Sequence, residues 1–468
     1  MRRIPAPLGS LLAVAAVQFL AWVLVLPALQ APDESVHYAY TQRLVETGER
    51  PPLEGEGAPF SPELEAARLG AGLGPLVGNL SARPYWTGLD ERLWAGRDRA
   101  LGPDARDALT GPSTASRNPP GSYAYAGLAY AAASGGSFFD RLFAMRLANL
   151  PLYLLTIVLT WVLAGRLLGP ALWPRTVAAG AVAVQPQFAF VAAGVSPDPL
   201  LTAIWAGFLV VAVSAVQERL TWARAAGLLA LAAASVLTHP RGAPLALLAL
   251  LAIGLGLRRR LDVSGRVVAL GVAAAAAAML VAGAGVLDST RGAHFNVREF
   301  GSYVWQFYLP KLPFMAPSIG PEYGAQVAYV ETFYGVFASL EVRWPALAYD
   351  LLAAASLAGL AALAVVAIRA RERLQARWEL AVLLAAAPVT LIAALHFAAY
   401  RNLQIDPTDP IVVGRYLFPL LPLFGVAIAA VVRALPPRAS VATGTTVLMC
   451  GALLGLSGLG MTAVRFYV

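Results

Sequence analysis

"LLAVAAVQFLAWVLVLPALQAPDESVH", residues 11–37, runs without a charge through residue 29 and then meets Pro32, Asp33, Glu34 and His37. A run of this length crosses a hydrocarbon core about 30 Å thick as a single helix. Arg2 and Arg3 ahead of it, with Gln30-Ala31 near its end, also suit a secretory leader and its cleavage point. Many runs of the same kind follow, so an uncleaved first helix is the expectation.

Composition sets the class. Hydrophobic residues make up 58% of the 468, charged residues only 13%, and mean hydropathy is +0.64. A soluble domain carries about 25% charged residues. Further weakly charged runs lie at 146–165, 176–195, 199–216, 225–238, 242–257, 267–287, 347–368, 380–396, 412–432 and 440–464. The pair around residue 240 reads as two helices or as one broken helix. The expected fold is an all-α polytopic membrane protein of about eleven transmembrane helices with extracytoplasmic loops and juxtamembrane helices. Its expected divisions are the N-terminus and first helix (1–30), a long loop with amphipathic helices (31–145), helices two to seven (146–287), a second large loop (288–346) and the C-terminal helices (347–468).

The basic residues give an orientation. With the N-terminus inside, Arg166 and Arg175, Arg219 and Arg224, Arg258–Arg260 with Arg266, Arg369–Arg377, and Arg433 with Arg438 all fall in cytoplasmic turns. This works only if "PPGSYAYAGLAYAAASGG", residues 119–136, does not cross. We read it as a helix on the outer surface, its Tyr123, Tyr125 and Tyr130 at headgroup depth. The net charge of +8 is then topological. No basic patch interleaved with aromatics is left over, so nucleic acid is not expected as a partner. Cys450 is alone in the last span and forms no internal disulfide. There is no GxxxxGK[ST] motif, and "LGAGLG" lacks the strand and helix that would make it a nucleotide loop. Any energy-rich substrate must arrive in another form.

This orientation places the polar chemistry outside. Asp33 follows Pro32 and precedes "ESVHYAYTQRLVETG", so a helix N-cap is its bland reading. The helical spacing also puts Asp33 and Glu34 on the same face as His37, an arrangement suited to a general base or to metal ligation. In "GVSPDPLLTA", Asp198 or Ser196 caps a helix with Pro199 in its first turn, which accounts for the pattern without function. "LTHPRGAPL" offers His239 and Arg241 as a polar turn with a snorkelling Arg, or as an anion site. Arg415 and Tyr416, at the outer end of a span, anchor it or hold a phosphate; the planar guanidinium fork favours phosphate. "YVETFYGVFASLEVRWPALAY" mixes Glu331, Tyr334, Glu341, Arg343 and Trp344, suited to sugar rings and hydroxyls or to an amphipathic interfacial helix. Arg291, His294, Arg298 and Lys311 make the start of this loop basic, as lipid headgroups or an anionic substrate would require.

The pattern resembles the GT-C superfamily of membrane glycosyltransferases, in which an acidic pair opens a long outer loop after the first helix. More narrowly, the order of "PDESVHYAYTQRLVETG", "NPPGSYAYAGLAY" with "RLFAMRLANL", "SPDPLL", "FYGVFASLEVRWP" and "GRYLFPLLP" is similar to a bacterial family of predicted membrane proteins grouped with those enzymes. "SPDP" stands where such proteins often have Asn before Pro-Asp, and "THPRG" where a Lys often appears. The resemblance implies Asp33 as the catalytic or metal-associated carboxylate, Glu34 as its neighbour and Arg415 as a donor-phosphate contact. Tyr416, His239 and Arg241 join the phosphate side, with His37, Asp198, Glu331 and Tyr334 as substrate contacts. The implied partners are a polyprenyl-phosphate-linked sugar, a glycan, lipid or protein acceptor, and membrane lipids; a divalent cation, Mg or Mn, held in part by Asp33 and Glu34, is the implied cofactor. The implied location is the bacterial cytoplasmic (inner) membrane. Two other classes remain open: a flippase for a lipid-linked saccharide, which should place charges or broken helices near the bilayer midplane, and a non-catalytic partner in envelope polysaccharide assembly.

Overall fold

The computed structural model describes every residue except 1–3, 73, 75, 77–78, 80, 83–87, 107–110, 262–294, 317–323 and 406–411. The span expected at 267–287, Arg266, Arg291 and His294 lie outside the described residues. Among those described, 8 helices are long and apolar enough to cross a membrane, and the only sheet is a two-stranded hairpin. The protein is an all-α polytopic chain.

Helix α1 (Ala6–Val25) turns Ala15, Phe19 and Trp22 inward, a stripe at helical spacing, while Val14, Val17 and Leu24 face out. Past it, α2 (Glu34–Thr47), α3 (Pro62–Gly70), α4 (Gly88–Leu101) and α5 (Gly121–Ala132) precede α6 (Phe138–Leu147) and α7 (Leu150–Leu168). Helix α3 starts as its sequence suggests: the Ser61 side chain accepts from Leu64 N, with Pro62 in the first turn. Helix α5 is the expected non-crossing segment. Its 12 residues reach about 18 Å, well short of a hydrocarbon core. It packs on α2 and on the end of α11 (Trp222–Thr238), where Ser122 Oγ donates to Thr238 O at 3.3 Å.

The expected single span at 176–195 is instead two helices, α8 (Leu172–Ala183) and α9 (Pro186–Ala192). The cause is local. Pro186 has no N–H to continue the ladder and holds Gln185 extended at ψ 112°; the Gln185 side chain then caps Phe188 N. Onward come α10 (Asp198–Gln217), α11, a 3-10 turn at Pro240–Gly242 and α12 (Pro244–Leu261). The pair around residue 240 is therefore two helices. The remaining α-helices of six or more residues are α13 (Val297–Tyr308), α14 (Ala346–Arg369), α15 (Arg371–Ala376), α16 (Trp378–Ile405), α17 (Leu421–Arg433) and α18 (Pro437–Tyr467).

One end of the bundle gathers the arginine-rich turns. Arg166 pairs with Glu218 and Arg258 with Glu379, both at 2.6 Å, and Arg433 donates to Leu168 O. At the other end a small hairpin is driven into the helices. Its strands, Val336–Phe337 and Val342–Arg343, pair antiparallel with Val336 opposite Arg343. Phe337 stacks on Trp22 with ring centroids 5.0 Å apart and meets Phe190 edge-on. The break between α8 and α9 holds this hairpin in place. Gln187 exchanges two hydrogen bonds with Val336, at 2.9 and 3.0 Å, and Gln185 Nε2 donates to Phe333 O. The backbone groups that the hairpin brings into the bundle are thus paired, as burial demands.

Candidate functional site

The Asp33 side chain leaves the role that its position suggests. It stands at the N-cap of α2 with φ 58° and ψ 18°, and makes no capping hydrogen bond. Left-handed backbone at a non-glycine residue costs energy and calls for an explanation. Here the conformation directs the carboxylate to Arg415, with which it forms an ion pair. Asp33 remains 52% exposed while Arg415 is 12% exposed, so the acid presents an open flank. Desolvation pushes the Asp33 carboxyl up, but the charges of Arg415 and His37 and the hydrogen bond from Arg415 outweigh it and hold the group below the usual carboxylate value.

Arg415 is placed by its own neighbours. Gly414 N donates to Thr332 Oγ1 at 2.6 Å, just upstream of the hairpin anchored by Gln185 and Gln187. The two chains are in such close contact that a Cβ on Gly414 would lie 2.3 Å from Phe333 N. Gly414→Ala should therefore displace the Thr332 contact and Arg415 with it. The expected outcome is a protein that still inserts but unfolds at a lower temperature than wild type, read by thermal scans in one detergent.

The hairpin turn is also strained. Leu29, Asp33, Ala338, Ser339 and Leu340 are the non-glycine residues with positive φ among those described. They form two segments that touch: Ser339 N donates to Gln30 O at 3.1 Å and Ser339 Oγ to Gln30 Oε1 at 2.8 Å. Strain confined to two touching loops, one of which carries Asp33, points to a functional locus.

Behind Arg415 lies a second pair. Arg241 lies 2.8 Å from Asp198, which is 2% exposed. Its guanidinium covers the Tyr416 ring at 4.1 Å from the centroid, and that of Arg415 lies 5.5 Å from the same ring. Tyr416 thus lies against two cations. His239 accepts from Arg241 N through Nδ1 at 3.1 Å, which shapes the 3-10 turn. Burial, with Arg241 adding to it, keeps His239 well below the ordinary histidine range. Neither Ser196 nor Asp198 caps α10: Pro197 is its N-cap, without a side-chain bond. Instead Ser196 Oγ and Arg241 Nη1 are buried with no hydrogen-bond partner within the protein. Polar atoms left in this state are usually met by water or ligand.

His37 backs the site from α2. Its Nδ1 lies 3.0 Å from the Tyr123 hydroxyl, which accepts from Asn118 Nδ2 at 2.7 Å, and Tyr123 stacks on Tyr40 at 3.7 Å. The Tyr123 hydroxyl thus joins His37 to Asn118 in one buried hydrogen-bonded chain. Burial foremost, with Arg415 and Arg241 adding to it, pushes His37 down to about 4. The sign follows: the unfolded chain binds a proton near pH 6.5 that the folded chain refuses until about pH 4. Stability is therefore complete above that window and falls as pH drops through it. Thermal unfolding scans between pH 7 and 4 should show this loss, blunted in His37→Gln.

Glu34 faces elsewhere. It is 1% exposed. Arg146 binds it through two contacts, Nε to Oε1 at 2.8 Å and Nη2 to Oε2 at 2.6 Å, and Val195 N donates to Oε1 at 3.0 Å. Glu331 and Tyr334 also turn to other partners: Glu331 to Arg343 at 3.3 Å, Tyr334 to Ser356 on α14 at 2.9 Å. The structure therefore gathers Asp33, His37, Asp198, His239, Arg241, Arg415 and Tyr416, with Glu34 set behind them and Glu331 and Tyr334 at the foot of the hairpin. It adds Asn118, Thr332 and Arg146, which the sequence reading did not single out, and Tyr123, which that reading placed at headgroup depth and not in the site. Only "NPPGSYAYAGLAY" and "RLFAMRLANL", recurring motifs of the resemblance, could have pointed to Asn118, Tyr123 and Arg146.

Among the described residues the donor set does not fit a divalent cation. Asp33 and Glu34 each already face a guanidinium, and no group of three His, Cys, Asp or Glu converges among the described residues. No step below is routed through a metal.

A family model described as "Predicted membrane protein (DUF2142)" matches residues 17–424. The chain belongs to this family. A search of curated proteins finds no match. Among solved structures, ArnT from Cupriavidus metallidurans in the apo state is similar at 15% identity over 93% of this chain and 62% of that one, with a TM-score of 0.43. The same enzyme bound to undecaprenyl phosphate is similar at 14% identity over 98% and 76%, TM-score 0.45. The oligosaccharyltransferase of Archaeoglobus fulgidus is similar at 14% identity over 98% and 56%, TM-score 0.46. The DUF2142 chain thus spans under two thirds of the first of these. The likeness is loose, and the case for function stands on the chain's own residues.

Proposed function

We propose that this DUF2142 protein is a glycosyltransferase that moves a sugar from a polyprenyl-phosphate donor to an acceptor outside the cytoplasm, with the N-terminus inside. The observation that supports it most is the Asp33–Arg415 pair, an open-flanked base and a phosphate-binding fork held together by strained backbone just past the first span. Asp33 takes the proton of an acceptor hydroxyl. The acceptor oxygen bonds to the anomeric carbon as the bond from that carbon to the phosphate oxygen breaks, with inversion. The electron pair leaves on the polyprenyl phosphate, whose charge Arg415 meets, with Arg241 behind it across Tyr416.

Asp33 occupies the guanidinium that the donor phosphate needs. Donor binding therefore exchanges phosphate for carboxylate on Arg415 and frees Asp33 for the acceptor. A flippase would need a polar route near the midplane. The break between α8 and α9 does not supply one, since Gln185 and Gln187 are buried there and bonded to the hairpin. The test is release of free polyprenyl phosphate from a panel of labelled polyprenyl-phosphate sugars plus candidate acceptors. Turnover by wild type that is lost in Asp33→Asn supports the proposal; donor binding with turnover retained in that variant sinks it.

A further inference from the structure

The mechanism leaves one buried imidazole unused. His396, 4% exposed, lies on α16, a helix apolar enough to cross a membrane. An ionisable side chain in such a helix needs partners and calls for a reason. Its partners are tyrosines from the stretch between α12 and α14. The Tyr303 hydroxyl lies 2.9 Å from Nδ1, and those of Tyr308 and Tyr329 lie 2.8 and 3.2 Å from Nε2. Tyr303 and Tyr308 belong to α13, whereas Tyr329 belongs to a π turn at Val327–Glu331. One ring thus ties two separate elements to α16. Phe307 closes the group, edge-on to His396 at 4.7 Å and to Tyr329 at 5.4 Å between centroids.

Two routes lead from this cluster to Arg415. From the π turn, Thr332 Oγ1 donates to Ala328 O at 2.8 Å and accepts from Gly414 N at 2.6 Å. The hydroxyl therefore fastens the residue before Arg415 to the turn that Tyr329 anchors. From the apolar side, Val412, 1% exposed, packs in one cluster with Tyr303, Phe307, Ala328, Ala399 and Tyr400. The chain entering Arg415 is held at 412 by packing and at 414 by a hydrogen bond, and both holds rest on elements that His396 joins. π turns are rare and occur often at functional sites. We propose that His396 is a positioning residue: by holding α13 and the π turn to α16 it fixes the segment 412–415, and with it the Arg415 guanidinium. Its bearing on phosphate rests on the role proposed above for Arg415; the placement of the segment does not.

The test is hydrogen exchange of the full-length protein in detergent, read peptide by peptide by mass spectrometry, for wild type, His396→Leu, His396→Gln and Tyr329→Phe. In His396→Leu the peptide covering 412–418 should exchange about fivefold faster, the scale of one lost hydrogen bond, with α1 and α7 unchanged. His396→Gln keeps a donor and an acceptor and should recover part of that protection. Tyr329→Phe keeps the ring, removes one hydroxyl and should loosen 412–418 to a smaller degree; it decides the matter alone if His396→Leu does not fold. Loosening confined to α13 and the π turn, with 412–418 as in wild type, overturns the proposal. So does an equal rise in every helix, which is plain loss of stability. A polyprenyl phosphate titrated into the same proteins should bind more weakly in His396→Leu than in wild type. Looser 412–418 with unchanged binding keeps the positioning role and counts against Arg415 as the phosphate contact.

Discussion

Asp33→Asn is expected to abolish sugar transfer and, in the same protein, to tighten the binding of a bare polyprenyl phosphate. The two effects have one cause. Asn is among the residues that best tolerate left-handed backbone, so the φ of 58° at this N-cap survives the change. What disappears is the charge. Without it no base accepts the acceptor proton, and a loss of about 10²–10⁴-fold in turnover is the usual scale for removing one. Arg415, no longer neutralised by a carboxylate, is open to phosphate. Because Asp33 is 52% exposed, the competing pair is worth about 1 kcal/mol or less, and the affinity gain is up to about fivefold. Arg415→Ala should do the reverse to binding. Titration of polyprenyl phosphate into the three proteins decides it: weaker binding in Asp33→Asn would mean that the carboxylate helps to hold the donor and does not stand in for it.

The spans were legible because the bilayer imposes a simple demand on composition, and α5, expected not to cross from the distribution of arginine, is a helix of only 12 residues. The break between α8 and α9 was legible in principle from "VQPQF", but a hydropathy window averages over one proline and two glutamines. The site was legible in part. Asp33 and Arg415 stood out as charges at the edges of apolar runs, yet their pairing joins residues 382 positions apart and no local pattern encodes it. The N-cap reading of Asp33 was sound as a statement of position and failed as a statement of bonding. Only tertiary structure shows where a side chain goes once its backbone turns left-handed. Glu34 turns away from Asp33, which sequence could not show for a related reason: adjacency in sequence suggested adjacency in the site. Opposite side-chain directions at successive residues send one carboxylate to Arg415 and the other to Arg146.

Glu34→Gln should therefore cost stability first and activity only as a consequence. Glu34 is 1% exposed, and its carboxylate accepts from Arg146 twice and from Val195 N. Removing its charge leaves the buried Arg146 guanidinium with neutral acceptors alone, among them the carbonyls of Leu26 and Pro27, each at 2.8 Å. Breaking a buried pair from one side typically costs about 3–5 kcal/mol. Arg146→Met leaves the opposite orphan and should cost a similar amount. The double variant Glu34→Gln/Arg146→Met leaves no unpaired charge, so most of that loss should be recovered, and the interaction energy from the cycle should be large. Thermal unfolding of the four proteins in one detergent measures it. The same cycle separates two roles for Glu34. If the carboxylate only ties the end of the first span to α6 and to the turn before α10, transfer returns with stability in the double variant. If it touches substrate, the double variant folds and stays inactive. The geometry favours the first outcome, because the Glu34 contacts with Arg146, Val195 and Ala31 leave the open flank of the site to Asp33 alone.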